Sequence, residues 1–213
     1  MPLGPRIRGM LGPYEHQIGE IYRSLFVDID AFVDQMLTWK PTAARILEVG
    51  CGEGAVTERL SAKYSGASIT AIDVSSRLGR LYRGPVHGVQ FIRCTAQEIA
   101  VAQPGKYDLV VLADVFHHVP VELRQGLLEA IKTALAPGGA FVFKDWERTF
   151  SPMHWLVYAL DRWLTGDRVK YMSRAEMRER LTHSFGVASL VAEATVPPWR
   201  NNIAALVTPP ITG

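Results

Sequence analysis

Cysteine is scarce: the 213 residues include only Cys51 and Cys94. Two thiols cannot make a disulfide framework or, by themselves, a four-ligand zinc site. Both lie in apolar, strand-like surroundings, which suits a reducing compartment. Nowhere do about 18 uncharged apolar residues follow one another, the length a membrane-spanning helix needs. The opening MPLGPRIRGMLGP carries arginines but no apolar run after them, so no signal peptide is read and the expected location is cytoplasmic. A dominant charge is missing too. With 23 basic and 21 acidic side chains the net charge is +2, too small a bias to make nucleic acid or an anionic membrane the default partner. Repeats and low-complexity tracts are absent. With 48% hydrophobic and 21% charged residues the composition is that of an ordinary globular protein, which excludes a disordered chain or a coiled rod. The length fits one domain spanning 1–213.

Proline and glycine crowd residues 1–13, which read as a flexible arm. Over 14–40 the apolar residues Ile18, Ile21, Tyr22, Leu25, Ile29, Phe32, Val33, Met36 and Leu37 recur at steps of three and four, predicting one long helix that Pro41 ends. Short apolar runs then alternate with helical stretches through 41–145: ARILEVG, ASITAID, VQFIRC, YDLVVLAD and AFVFKD. Such runs are continuous in Val, Ile and Leu because helices cover both faces of a parallel sheet. The helices between them include EGAVTERLSAKY from Glu53 and PVELRQGLLEAIKTAL from Pro120, the latter with Leu123, Leu127, Leu128, Ile131 and Leu135 on one face. Right-handed crossovers then give an open α/β sheet wound in both directions. Over 146–185 the rhythm changes. SPMHWLVYALDRWLTGD is apolar nearly all round and reads as an inserted helix, and SRAEMRERLTHSF opens with Ser173 and Glu176 at capping-box spacing. In 186–213, VASLVAEATV and NIAALVT are joined by PPWRN, too short for a crossover, so this pair is expected to be antiparallel.

The strongest chemical signal is ILEVGCGEG, a strand running into Gly50, Gly52 and Gly54 and opening onto a helix. A ligand lying over the first strand's carboxyl end can touch main chain only where no Cβ intervenes, and the helix N-terminus behind offers free N–H donors. The dinucleotide fingerprint requires Gly-x-Gly-x-x-Gly, whereas the third glycine here comes one position early. Glu48, just before the loop, would repel a pyrophosphate and suits a cationic or amino-bearing ligand. Both features favour S-adenosylmethionine over NAD.

LEVGCGEG, the acidic strand end AID, YDLVVLADVFHHV and LAPGGAFVF follow in that order between Ala44 and Phe143. In these elements the chain resembles the class I S-adenosylmethionine-dependent methyltransferases, specifically the small-molecule group that includes ubiquinone and menaquinone biosynthetic enzymes. The resemblance implies a Rossmann-like doubly wound sheet of seven strands, order 3-2-1-4-5-7-6 with strand 7 antiparallel, an N-terminal helix and a helical lid insert after strand 5. It also implies that Glu48, Gly50, Cys51, Gly52 and Gly54 surround the methionine part of S-adenosylmethionine, that Ala113 offers its carbonyl to the amino group, and that Asp73 accepts both ribose hydroxyls with Val74 on the adenine. A carboxylate suits the ribose, since it accepts two hydroxyl hydrogen bonds at once. The alternative role for Asp73 is a helix N-cap before SSRL. Thr95, Ala96 and Gln97 are the corresponding adenine contacts, with Thr95 standing where the family commonly has an aspartate.

Methyl transfer is an in-line displacement that gains mostly from placing the acceptor against the methyl group and excluding water. A base is needed only where the acceptor must lose a proton. His117 and His118 follow the fourth strand and are the candidate catalytic residues, with loop-fixing as the alternative role, above all for His118. Asp114, His117 and His118 have a spacing similar to an acid, acid, histidine set that holds a divalent ion in related enzymes, but the middle acid is a histidine and no metal is assigned. Lys144 and Asp145 end the fifth strand and could pair with each other. Aromatic residues of the leading helix (Tyr14, His16, Tyr22, Phe26) and of the insert (Met153, His154, Trp155, Tyr158, Trp163), with Lys144, read as a substrate-binding lid, or else as core or a dimer face. Arg77, Arg80 and Arg83 read as a solvated basic helix face.

The combined expectation is an S-adenosylmethionine-dependent methyltransferase acting on a small, apolar or aromatic metabolite, oxygen slightly favoured over nitrogen or carbon. It would use no nucleic acid or membrane partner and act as a monomer or homodimer. The alternatives are an NAD(P)-dependent Rossmann oxidoreductase, which should show the longer glycine spacing and a Tyr-x-x-x-Lys pair, and a non-catalytic S-adenosylmethionine-binding protein.

Overall fold

A computed structural model describes residues 26–149 and 169–210. The proposed lid residues Tyr14, His16, Tyr22, Met153, His154, Trp155, Tyr158 and Trp163 lie outside them, as does the inserted helix. Helix α1 spans Ile29–Trp39, followed by β1 Arg45–Val49, α2 Ala55–Lys63, β2 Ser68–Asp73, β3 Val89–Arg93, α3 Ala96–Ala102 and β4 Tyr107–Ala113. Then come α4 Arg124–Ala134, β5 Leu135–Trp146, α5 Arg174–Phe185, β6 Leu190–Thr195 and β7 Asn202–Val207. The strands form one sheet of order 3-2-1-4-5-7-6. Strands β1 to β5 run parallel, whereas β7 pairs antiparallel with both β5 and β6. The sheet order is as the family resemblance implies, and the closing hairpin is as the sequence predicts.

Alternation along each central strand builds two cores, because successive side chains point to opposite faces. Leu47, Val110, Leu112, Phe141, Phe143 and Ala205 face α3, α4 and α5. Ile46, Leu109, Val111, Val142, Ala204 and Leu206 face α1 and α2. Both sets are apolar because both faces are covered. Helix α1 joins the second core through Ile29, Phe32, Val33 and Met36, the one-face spacing of a helix.

Three local expectations are corrected. Within the described part of 14–40 the helix is not continuous: Val27 and Asp28 are not helical, and Asp28 caps α1 by accepting from the Ala31 N–H at 2.9 Å. The Asp28 N–H donates to the Pro197 carbonyl, and Asn202 Nδ2 donates to the Phe26 carbonyl, so the β6–β7 link binds the break. The basic helix face does not exist, since residues 74–81 are bends and turns and Arg83 lies in irregular chain beyond them. The Gly79 and Leu81 N–H groups donate to the carbonyls of Gly52 and Glu53, competing with helical pairing, and Arg77 and Arg80 lie against Glu53. Finally, Pro120 opens a short 3-10 turn, Val121–Leu123, so α4 starts only at Arg124, and Leu123 is 56% exposed instead of lying on the buried stripe.

Candidate functional site

The carboxyl ends of β1, β2 and β4 and the starts of α3 and α4 enclose a cavity of about 590 Å³. Sheet order reverses between β1 and β4, where an open α/β sheet places its ligand crevice. Gly50, Gly52, Asp73, Val74, Thr95, Ala96, Gln97 and His118 of the predicted site all line it. Val74 and Leu123, 64% and 56% exposed, present apolar side chains to it.

The glycines have separate roles. At Gly50, φ is +75° and a Cβ would lie 2.3 Å from Val115 Cγ2, so glycine lets the chain pass under the loop after β4. At Gly52, φ is +52° and nothing lies within 4 Å of where a Cβ would point. That open space faces the cavity and gives a ligand direct access to main chain. Asp73 fixes the turn, its Oδ2 accepting from the Gly52 N–H at 2.8 Å and its Oδ1 from the Ser75 N–H at 2.7 Å. Each carboxylate oxygen retains a second lone pair for a ligand hydroxyl. The open cradle at Gly52, the Asp73 carboxylate and the exposed apolar Val74 are together an acceptor and contact set that fits S-adenosylmethionine.

Thr95 begins α3 in a capping box, accepting from the Glu98 N–H and donating its hydroxyl hydrogen to Glu98 Oε2 at 2.8 Å. Its hydroxyl can therefore meet a ligand only as an acceptor. Four predicted residues stand behind the cavity wall. Gly54 caps α2 and packs on Tyr82 and Gly79. Cys51 is buried, with burial raising its thiol pKa. Ala113 pairs with Lys144 within the sheet.

Glu48 is the fourth, buried beneath the loop and accepting from the Thr57 hydroxyl at 2.6 Å. Burial pushes its pKa up to about 7, the Thr57 bond opposing the shift and the Asp73 charge adding to it. Since a carboxylate unfolded in water titrates near 4.3, the native state holds an extra proton between these values. Stability contributed by neutral Glu48 is complete below the lower value and is lost as pH rises through the upper one. Replacing it, Glu48→Gln keeps a neutral acceptor at all pH. The variant should gain up to about 3 kcal/mol relative to the parent between pH 4.5 and 8, read from urea midpoints. A pH-independent difference would contradict the burial argument.

Adjacent residues of β5 diverge. Lys144 and Asp145 do not pair, because strand alternation sends them to opposite faces. The fully buried Lys144 Nζ donates to both Asp114 oxygens at 2.6 Å. Asp114 has φ +57° and sits at the cavity edge, the left-handed residue that swings Val115 over Gly50. Asp145 pairs with His117 Nδ1, and both are buried. His117 thus lies behind the wall while exposed His118 stands in the cavity, its ring centroid 4.1 Å from that of His117. Among the described residues no group of three or more His, Cys, Asp or Glu is placed to hold a metal ion. Phe26 packs on Trp146 at 6.4 Å between ring centroids, in a small cluster with Tyr171 and Val169 outside the cavity.

The missed features are the Lys144–Asp114 and Asp145–His117 pairs and the buried Arg124. Arg124 donates to the carbonyls of Val119 and Lys170 at 3.0 and 2.8 Å and ties the loop after β4 to the segment preceding α5. Period-two alternation in FKD was the one signal that could have separated the two β5 charges.

Sheet order, reversed closing strand and glycine cradle define a Rossmann-like methyltransferase domain. Residues 20–188 match the family model of a methyltransferase domain. The ubiquinone biosynthesis O-methyltransferase of Xanthomonas campestris pv. campestris (strain B100) is 32% identical over 112 residues, 50% of this chain and 44% of that protein. The enzyme of the same name from Bordetella bronchiseptica is 31% identical over 110 residues, 49% of this chain and 43% of that protein. The matched segments span less than half the length of these curated relatives. In fold the chain is similar to the Burkholderia thailandensis 1,6-didemethyltoxoflavin-N1-methyltransferase, solved with 1,6-didemethyltoxoflavin and S-adenosylhomocysteine. That likeness has a TM-score of 0.65 at 15% identity and covers 96% of this chain and 87% of the other. Human N-acetylserotonin methyltransferase, solved with S-adenosylmethionine, aligns with a TM-score of 0.61 at 18% identity over 79% of this chain and 48% of that one. The chain belongs to the methyltransferase domain family, whose enzymes are S-adenosylmethionine-dependent. No described helix is long and apolar enough to cross a membrane.

Proposed function

We propose that this chain transfers the methyl group of S-adenosylmethionine to a hydroxyl of a small apolar or aromatic acceptor, with His118 as base. The observation that carries the reading is the cavity itself: one wall is the open Gly52 cradle with Asp73, and His118 stands in the same space among Val115, Val119, Leu123 and Leu127. The bound sulfonium supplies an activated methyl carbon. Asp73 holds the ribose hydroxyls, Gly52 gives access to main chain, and Val74 covers the adenine. The acceptor oxygen forms a bond to the methyl carbon as the carbon–sulfur bond breaks. A lone pair of that oxygen makes the new bond, the carbon–sulfur bonding pair goes to sulfur to give S-adenosylhomocysteine, and the hydroxyl proton passes to the His118 imidazole. Apolar side chains of Val115, Val119, Leu123 and Leu127 offer the acceptor's carbon skeleton a surface to pack on. Oxygen is favoured by that imidazole and by the O-methyltransferase relatives.

A panel of small phenols, amines and enols with radiolabelled S-adenosylmethionine tests the assignment. Label should appear in a phenol ether, and His118→Gln should lower kcat by about 10²-fold or more, the usual contribution of a positioned base. S-adenosylhomocysteine affinity should stay within about threefold, a change of under 1 kcal/mol. Transfer confined to nitrogen or carbon, or an unimpaired variant, would contradict it.

A further inference from the structure

His118 is exposed, and a base must hold one nitrogen on the acceptor. Its neighbour supplies one restraint. The His117 ring lies with its centroid 4.1 Å from that of His118 and stacks on Tyr171 at 4.8 Å and 23°. The His117 ring cannot turn without losing Asp145, which is 1% exposed and anchored because its Oδ1 also accepts the Trp146 N–H at 2.9 Å. Tyr171 is held as well: its carbonyl accepts from Arg148 Nη1 at 3.2 Å, and the preceding Lys170 N–H donates to the His117 carbonyl at 2.9 Å. Neither Asp145 nor Tyr171 lines the cofactor cavity.

We infer that Asp145 and Tyr171 are positioning residues, which fix the His117 imidazole as a rigid plate and through it set the orientation of His118 in the cavity. The arrangement runs from strand β5 through a carboxylate and a buried ring to an exposed ring. A carboxylate on His117 Nδ1 also selects the tautomer with its hydrogen on that nitrogen when the ring is neutral. The inference rests on the reading of His118 as base, but its structural content is measurable without methyl transfer.

Histidine side chains are to be followed by NMR in full-length protein saturated with S-adenosylhomocysteine. In the parent, His118 should give one narrow set of ring signals displaced by the neighbouring rings, and His117 should report a hydrogen-bearing Nδ1. Asp145→Ala should move His118 toward the position of a free histidine and erase the His117 signature. Asp145→Asn, which retains an acceptor oxygen, should restore most of both. Tyr171→Leu, which leaves the carboxylate in place, should displace His118 in the same direction and serves if Asp145→Ala does not fold. With a phenol that the parent methylates, the displacing variants should lose about tenfold or more in kcat with KM for S-adenosylmethionine unchanged. His118 signals that do not move in a folded variant would overturn the inference even in an active enzyme. Displaced signals in a protein that methylates no hydroxyl would uphold the positioning and refute the base.

Discussion

Asp73→Ala lowers affinity for S-adenosylhomocysteine about 30-fold or more in a calorimetric titration. The carboxylate does two jobs within one turn. Its oxygens hold the Gly52 and Ser75 N–H groups at 2.8 and 2.7 Å and keep the glycine loop and the turn after β2 in register. Their remaining lone pairs face the cavity, where two ribose hydroxyls would each make a charge-assisted bond. Loss of about 2 kcal/mol, modest for two such bonds, gives the stated factor. Asp73→Asn separates the contributions: one oxygen still accepts, but the amide cannot accept at its other end and the charge is gone. Its affinity should fall between the two. Affinity unchanged in Asp73→Ala would remove Asp73 from the ligand site and leave it a turn-forming residue.

Gly50→Ala costs the protein roughly 3 kcal/mol or more in stability, by φ strain and overpacking together. A methyl group there would sit 2.3 Å from Val115 Cγ2 and 3.0 Å from Cγ1, and the backbone holds φ at +75°. Val115 cannot simply withdraw, because Asp114 ahead of it is held by Lys144 and Phe116 behind it is buried. Val115 is itself part of the cavity wall, so ligand affinity should fall along with stability. Adding Val115→Ala should recover the clash component while the φ strain persists. Gly52→Ala is the contrasting variant: nothing lies within 4 Å of its methyl, so its stability loss should be about 1 kcal/mol while binding is abolished. Urea denaturation and S-adenosylhomocysteine titration on the three variants check this. A Gly50→Ala protein as stable as the parent, or a Gly52→Ala protein that binds normally, would contradict the assigned roles.

Much of the architecture was legible because its signals are local and redundant. ARILEVG and YDLVVLAD are apolar on both faces and so mark central strands, and PPWRN is too short for anything but an antiparallel return. That Gly50, Gly52, Asp73 and Val74 line one cavity was likewise legible, the glycines and Asp73 from their place at strand carboxyl ends and Val74 from the family resemblance. What escaped depended on partners distant in sequence. Arg77, Arg80 and Arg83 have helical spacing, yet the N–H groups of Gly79 and Leu81 are taken by the glycine loop more than 20 residues earlier. Val27 and Asp28 leave the helical path, with Pro197 and Asn202 holding the chain there. Lys144 and Asp145 looked like a neighbouring pair, although strand alternation sends one to Asp114 and the other to His117. Glu48 was placed against the ligand from its position before the loop. It instead lies beneath it on Thr57, a contact in the first turn of α2 that the strand sequence does not announce.

The central claim is that the cavity over the glycine loop is built for an S-adenosyl compound. Calorimetric titration of the parent chain with S-adenosylhomocysteine, with NAD and NADPH as parallel ligands, tests it most directly. Saturable micromolar binding of S-adenosylhomocysteine alone is the predicted result; binding of a nicotinamide nucleotide in its place, or of none of the three, would contradict it.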